Sequence, residues 1–240
     1  KKGIRYFSNN SSSLTLWHSP NARSLRCVWT LEEIGNLNYN LITLPFPPRI
    51  KYREYLQKNI LGTIPYLEDG EVKMTESSAI SHYLASKYGS SNLIISPNEN
   101  DYGIFLNWMH HADATLTFPQ AIVLRYTVQE KGRADEAARD YAKWYIARLR
   151  LLDNTLKDKR EFLVGNRFTV ADICITYALF LGKAINVDGI TLASQYQPQT
   201  TEYMERMINR PAFQASLLKQ KESLKKFKEE HPEAFTPSKA

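Results

Sequence analysis

Two cysteines in 240 residues, Cys27 and Cys174, are too few for a disulfide framework and too far apart for a Cys-x-x-Cys pair. Each lies in an apolar context, R-C-V-W and D-I-C-I-T, where a thiol behaves as a small core side chain. No apolar run approaches the roughly 20 residues that span a bilayer, and no charged, apolar and small-residue succession marks a signal peptide. Those absences exclude a membrane partner and make the cytoplasm the expected compartment. There is no G-x-S-x-G elbow to make a hydrolase of Ser19 and its neighbour His18, and adjacent residues of a strand face opposite sides. His110 and His111 are also adjacent, point apart on a helix and offer no metal pair, so no metal is expected. Charge of one sign is nowhere concentrated. The net +6 is spread among acids, and even the dense run 219–230 interleaves glutamates with lysines as a solvated helix face does, which argues against a nucleic-acid partner.

What is present can fill real cores, with 43% hydrophobic and 12% aromatic residues. The chain has two textures. Its first part reads as strand 14–17, helix 22–34, strand 39–44, short helix 52–57, a hairpin pairing 65–68 with 71–74, and a helix ending at Tyr88. That β-α-β-α-β-β-α order predicts a thioredoxin-like α/β domain over residues 14–88. After a polar, Pro-containing linker at 89–100, only helical periods remain, over 102–130, 134–156, 170–183, 199–209 and 211–228, with no alternating run and no hairpin turn. Residues 101–230 are therefore expected to form an all-α helical bundle. The Ser- and Asn-rich stretch 1–13 is read as a disordered extension and 231–240 as a loose tail.

The most informative stretch is L-G-T-I-P-Y-L-E-D-G-E-V-K-M-T-E-S-S-A-I-S-H-Y-L-A-S-K, residues 61–87. Pro65 opens a strand where its missing N–H does no harm, and the Ile64–Pro65 bond is one that tolerates the cis form. Asp69-Gly70 is a two-residue hairpin signal. Thr75-Glu76-Ser77-Ser78 precedes the helical spacing of Ile80, Tyr83 and Leu84, and the free N–H groups and dipole at such a helix start attract an anion.

This stretch resembles the glutathione-binding half of the soluble glutathione transferases. In that family an Ile or Val before a cis-Pro pairs its backbone with the cysteinyl part of glutathione, and a Glu/Gln-Ser step receives the γ-glutamyl carboxylate. The resemblance places those roles on Ile64, Pro65, Glu76 and Ser77. A second match, F-L-V-G-N-R-F-T-V-A-D-I at 162–173, is similar to the family's signature at the start of a buried helix of the second domain. There Thr169 is expected to cap and Asp172 to reach back from the third helical position, a structural role, with Phe168 and Ile173 as a hydrophobic staple. The resemblance implies glutathione as co-substrate, a small hydrophobic electrophile as second substrate, and a homodimer. The glycine carboxylate of glutathione needs a cation near the second helix, for which Arg49, Lys51 and Lys58 are the candidates.

Thiolate chemistry is expected where the first strand meets the first helix, at W-H-S-P-N-A-R-S-L-R, residues 17–26. A thiol set against a helix N-terminus and a hydroxyl or amide donor loses its proton more easily. In the tau and zeta classes a serine stands seven residues before a recurring arginine, which here selects Ser19 and Arg26. Other classes place their serine after the proline, where this chain has Ala22 and Arg23, so Asn21 and Ser24 stand beside Ser19 as candidates. N-A-R-S also resembles the N-S-R-S of a bacterial and fungal branch, and the class stays open. On the first long helix Trp108, His111, Thr115 and Phe118 recur at three- and four-residue spacing, either as core or as the electrophile pocket. The expected function is conjugation of glutathione to an electrophile; the alternative is a non-catalytic binding or protein-interaction module on the same fold.

Overall fold

The structure is a computed structural model that describes residues 14–235. Stretch 1–13, read as a disordered extension, lies outside the described residues.

Four short strands build the first sheet: β1 (Thr15–His18), β2 (Asn40–Thr43), β3 (Tyr66–Asp69) and β4 (Val72–Met74), in the order β2-β1-β3-β4. β1 runs parallel to β2 and antiparallel to β3, which forms a hairpin with β4 in which Asp69 still pairs with Val72, so the turn is Gly70-Glu71, one residue later than the expected Asp69-Gly70. Gly70 takes φ 60°, as that turn requires. α1 (Leu25–Ile34) crosses between β1 and β2, and α3 (Ser77–Tyr88) follows the hairpin. The thioredoxin-like arrangement is thus present. One detail differs in the connection from β2 to β3. The helical turn there is α2 (Pro48–Lys51), with Pro48 opening it, and residues 53–57 form a tighter 3₁₀ turn after Tyr52 leaves the helical conformation at φ −143°.

The rest is helical: α4 (Tyr102–His110), α5 (Phe118–Leu124), α6 (Asp135–Arg148), α7 (Arg150–Thr155), α8 (Val170–Gly182), α9 (Pro198–Ile208) and α10 (Pro211–Glu230). α8 is buried along nearly its whole length and begins in a capping box: the Ala171 N–H reaches Thr169 Oγ1, and Asp172 accepts the Thr169 N–H at 2.9 Å. Asp172 also accepts from the Leu163 N–H and the Tyr203 hydroxyl, so the carboxylate is wholly structural. The two parts share one core. Trp29 of α1, fully buried, packs edge-on against Phe213 of α10 with ring centroids 4.9 Å apart.

Three expectations need correction. A small hairpin, β5 (Asn186–Val187) with β6 (Ile190–Thr191), stands inside the second part. Its turn is Asp188-Gly189, both at positive φ, the same dipeptide as Asp69-Gly70, where Asp69 stays in the strand, but flanked by strands of two residues, too short to alternate visibly. Segment 89–100 is no polar spacer, since Leu93 and Ile95 are buried in the bundle core and Arg167 donates to the Ile94 carbonyl and to Glu99. The start of the tail is also held: Ala234 is buried, and Phe235 packs near Phe227 beneath the sheet domain.

Candidate active site

A cavity of about 470 Å³ lies between the sheet domain and the bundle. Its polar wall comes from three turns of the first part: Pro20 to Arg23 after β1, Gly62 to Pro65 before β3, and Thr75 to Ser77 at the start of α3, with Phe46, Pro48 and Arg49 closing one side. The Ile64–Pro65 bond is cis. Behind it the Tyr55 hydroxyl and Asn59 Nδ2 both donate to the Thr63 carbonyl, at 2.7 and 2.9 Å, and pin the loop. Gly62, at φ 59°, presses against Arg49: a Cβ on it would lie 2.6 Å from the Arg49 Cβ. Only glycine meets both demands, so Gly62 fixes where Arg49 enters the cavity.

α3 starts without a side-chain cap on its first N–H groups. They are free to meet an anion beside Ser77. Ser77 Oγ accepts from Arg26, which is fully buried and also donates to Thr117 at 2.7 Å and to Asp113. Asp113 accepts from Ser78 as well. Burial alone would push the Asp113 carboxyl up, but Arg26 and Ser78 outweigh it and hold it below its ordinary value. Arg26 thus ties α1, the start of α3 and the bundle together at one guanidinium.

The turn after β1 separates the three thiolate candidates. Ser19 Oγ is fully buried, has no hydrogen-bond partner among the described residues and does not line the cavity. Ser24 is buried too, 2.7 Å from His18 Nδ1. Asn21 alone of the three is exposed and faces the cavity, in the left-handed conformation at φ 56°. Of the cation candidates Arg49 lines the cavity and Lys51 and Lys58 do not, while Arg23 adds a second guanidinium.

On the bundle side Trp108, His111, Thr115 and Phe118 do not reach the cavity. Trp108 is buried with His111 edge-on against it at 5.4 Å, and Phe118 is half exposed beside Tyr141. The apolar wall is built by Ala121, Leu124, Tyr177 and Leu181. The stripe fails because residues 111–117 form a wider turn, in which the Phe118 N–H reaches the Asp113 carbonyl five residues back. Each such turn takes more residues than an α-turn, so the face rotates. Pro119 is the signal for it: without an N–H, and with its ring against the carbonyl four residues earlier, it cannot continue an unbroken α-helix. A second widened turn, 125–129, brings Gln129 to the cavity rim.

Residues 12–86 match the family described as glutathione S-transferase, N-terminal domain, and residues 109–211 match its C-terminal domain. Glutathione S-transferase GstB of Escherichia coli strain K12 is 32% identical over 206 residues, which cover 83% of this chain and 95% of that one. The chain belongs to the glutathione S-transferase family. Glutathione S-transferase 3 of Schizosaccharomyces pombe is 29% identical, with 71% of this chain and 74% of that one covered. Among solved structures, the glutathione transferase URE2P6 of Phanerochaete chrysosporium, in complex with oxidized glutathione, superposes with a TM-score of 0.73 at 26% identity, over 89% of this chain and 98% of that one. Elongation factor 1-gamma 3 of Oryza sativa is also 30% identical, but this chain spans only 41% of its length. Within this family the co-substrate is glutathione, and the cavity is lined by a helix start, two arginines and the Glu76 carboxylate. No group of three metal-ligating side chains occurs among the described residues, and none of their helices is long and apolar enough to cross a membrane.

Proposed function

We propose that the protein is a glutathione transferase whose thiolate donor is Asn21. In this reading the γ-glutamyl carboxylate meets Ser77 and the open N–H groups of α3, its ammonium meets Glu76, the cysteinyl backbone lies along Ile64, and the glycine carboxylate meets Arg49. The thiol then lies over the turn after β1, where the Asn21 amide offers an N–H to the sulfur. A hydrogen bond to the charged form lowers a pKa because it stabilises that form alone. The thiol releases its proton to water, and the thiolate sulfur bonds to an electrophilic carbon as the leaving group departs. The electrophile sits on the apolar wall of Ala121, Leu124 and Leu181, so the two substrates meet in one cavity and the reaction gains from their positioning. The family likeness extends the reading to a cytoplasmic homodimer.

The observation that carries it is the composition of one cavity, polar on the sheet-domain side and apolar on the bundle side, with Asn21 between. The test is the thiol pKa of bound glutathione, read from thiolate absorbance in wild type and Asn21→Ala. The expected result is a lowered pKa in the wild type that rises in the variant. The elongation factor relatives support a second reading, a binding module without catalysis. Glutathione that binds and protects against heat while no electrophile is consumed would establish that reading instead.

A further inference from the structure

One buried polar residue of α10, Gln220, 7% exposed, reaches across some 200 residues of chain to the turn that carries Asn21. Its Oε1 is 3.1 Å from the Asn21 backbone nitrogen and 2.9 Å from His18 Nε2, and its Nε2 is 3.1 Å from Asn21 Oδ1. These contacts can be solved for direction from one fixed point. A backbone N–H only donates, so the Gln220 atom facing it is the oxygen. An oxygen in that place requires a proton on His18 Nε2. Burial lowers the His18 pKa to about 4, so the neutral ring carries one proton, and Nδ1 is left to accept from the Ser24 hydroxyl at 2.7 Å. With the oxygen so placed, the Gln220 amide nitrogen points at Asn21, and the Asn21 side chain must answer with its own oxygen. The Asn21 main-chain carbonyl is occupied by the Tyr177 hydroxyl at 3.0 Å. Asn21 Nδ2 takes part in none of these bonds and is the donor left for the cavity.

We infer that Gln220 is a positioning residue, which sets the Asn21 amide so that its NH₂ group and not its carbonyl oxygen meets the substrate sulfur. The inference rests on the reading of the cavity as the glutathione site. Its physical content is a sign: turned over, the same amide would set a carbonyl dipole against a thiolate and raise the thiol pKa. Ser24 and His18 belong to the device as the parts that hold the Gln220 oxygen in place, without touching substrate.

The experiment measures the thiol pKa of glutathione bound to full-length wild type, Gln220→Met, Asn21→Ala and the double variant, by the pH dependence of thiolate absorbance. S-methylglutathione serves as a probe that has no thiolate. Gln220→Met is expected to weaken the acidity of the bound thiol roughly tenfold, the scale of one hydrogen bond to a charged group, with S-methylglutathione affinity unchanged. In the Asn21→Ala background the same substitution is expected to change nothing. An unaltered pKa in Gln220→Met, or an equal rise with and without Asn21, overturns the inference and leaves the site reading intact. A wild type that does not acidify glutathione defeats the site reading itself. The wild type supplies a test that no folding defect can spoil: the Asn21 side-chain NH₂ resonances must shift as the bound thiol is titrated, and resonances that stay still overturn the inference.

Discussion

The two walls of the cavity differ in how they are made. The sheet-domain wall is assembled from turns whose residues act where they stand in sequence: the cis Ile64–Pro65 step, Gly62, and the Glu76-Ser77 helix start. The bundle wall is assembled from two helices, α5 and α8, whose apolar side chains arrive there only because of how the helices pack and where one of them widens. Short-range chemistry places most of the polar wall, with the Asn21 amide and its Gln220 contacts the exception, and long-range packing places the apolar wall. The polar wall is therefore expected to govern one substrate by named contacts, and the apolar wall the other by shape.

The largest effect should come from cutting what joins the walls. Arg26 is fully buried and reaches Ser77 on one side and Asp113 and Thr117 on the other. Arg26→Met would take from Asp113 its hydrogen-bonded guanidinium and leave it the Ser78 hydroxyl and the field of Arg23. We expect a loss of about 3 kcal/mol of unfolding free energy, at the low end for breaking a buried pair because Asp113 keeps some water contact. A denaturant midpoint close to that of the wild type would show that the walls are held together by apolar packing alone.

Arg49→Ala acts on the polar wall only. Glutathione affinity is expected to fall roughly tenfold, with the deficit shrinking as salt screens the wild-type contact. The apparent KM for the electrophile at saturating glutathione should stay put. Calorimetric titration at two ionic strengths decides it, and a salt-independent loss would assign Arg49 a packing role. Leu181→Ala is the mirror experiment. Removing part of an apolar contact should raise the electrophile KM about fivefold while glutathione Kd is unchanged. If both constants moved together in either variant, the division into two walls would fail.

The same contrast accounts for what could be read from the sequence. The cap at Thr169 and the acidic-hydroxyl start of α3 are local chemistry, and each stands where its residues imply, while the first hairpin forms with its turn one residue later than read, at Gly70-Glu71. The stripe from Trp108 to Phe118 assumed an unbroken α-period, and Pro119, in plain view, breaks it. The hairpin at Asp188-Gly189 carried a legible turn but strands too short to alternate. Gln220 could not have been found at all, because its meaning depends on a contact with Asn21 that no periodicity encodes. Choosing among Ser19, Asn21 and Ser24 likewise required knowing which side of the turn faces the cavity.

That choice yields the smallest expected effect. Ser19 holds the register favoured by a serine–arginine comparison with two classes of the family, yet its hydroxyl is fully buried and without a partner among the described residues. Taking away an unpartnered buried hydroxyl costs no hydrogen bond and leaves no group stranded, so Ser19→Ala should hold stability within about 0.5 kcal/mol of wild type or slightly above it. The thiol pKa of bound glutathione should not move either, because nothing that faces the sulfur has been altered. A raised pKa in Ser19→Ala would mean that the turn rolls over when glutathione arrives, exchanging Ser19 for Asn21. In that case the Gln220 contacts would describe the resting turn, and the polar wall would be as dependent on packing as the apolar one.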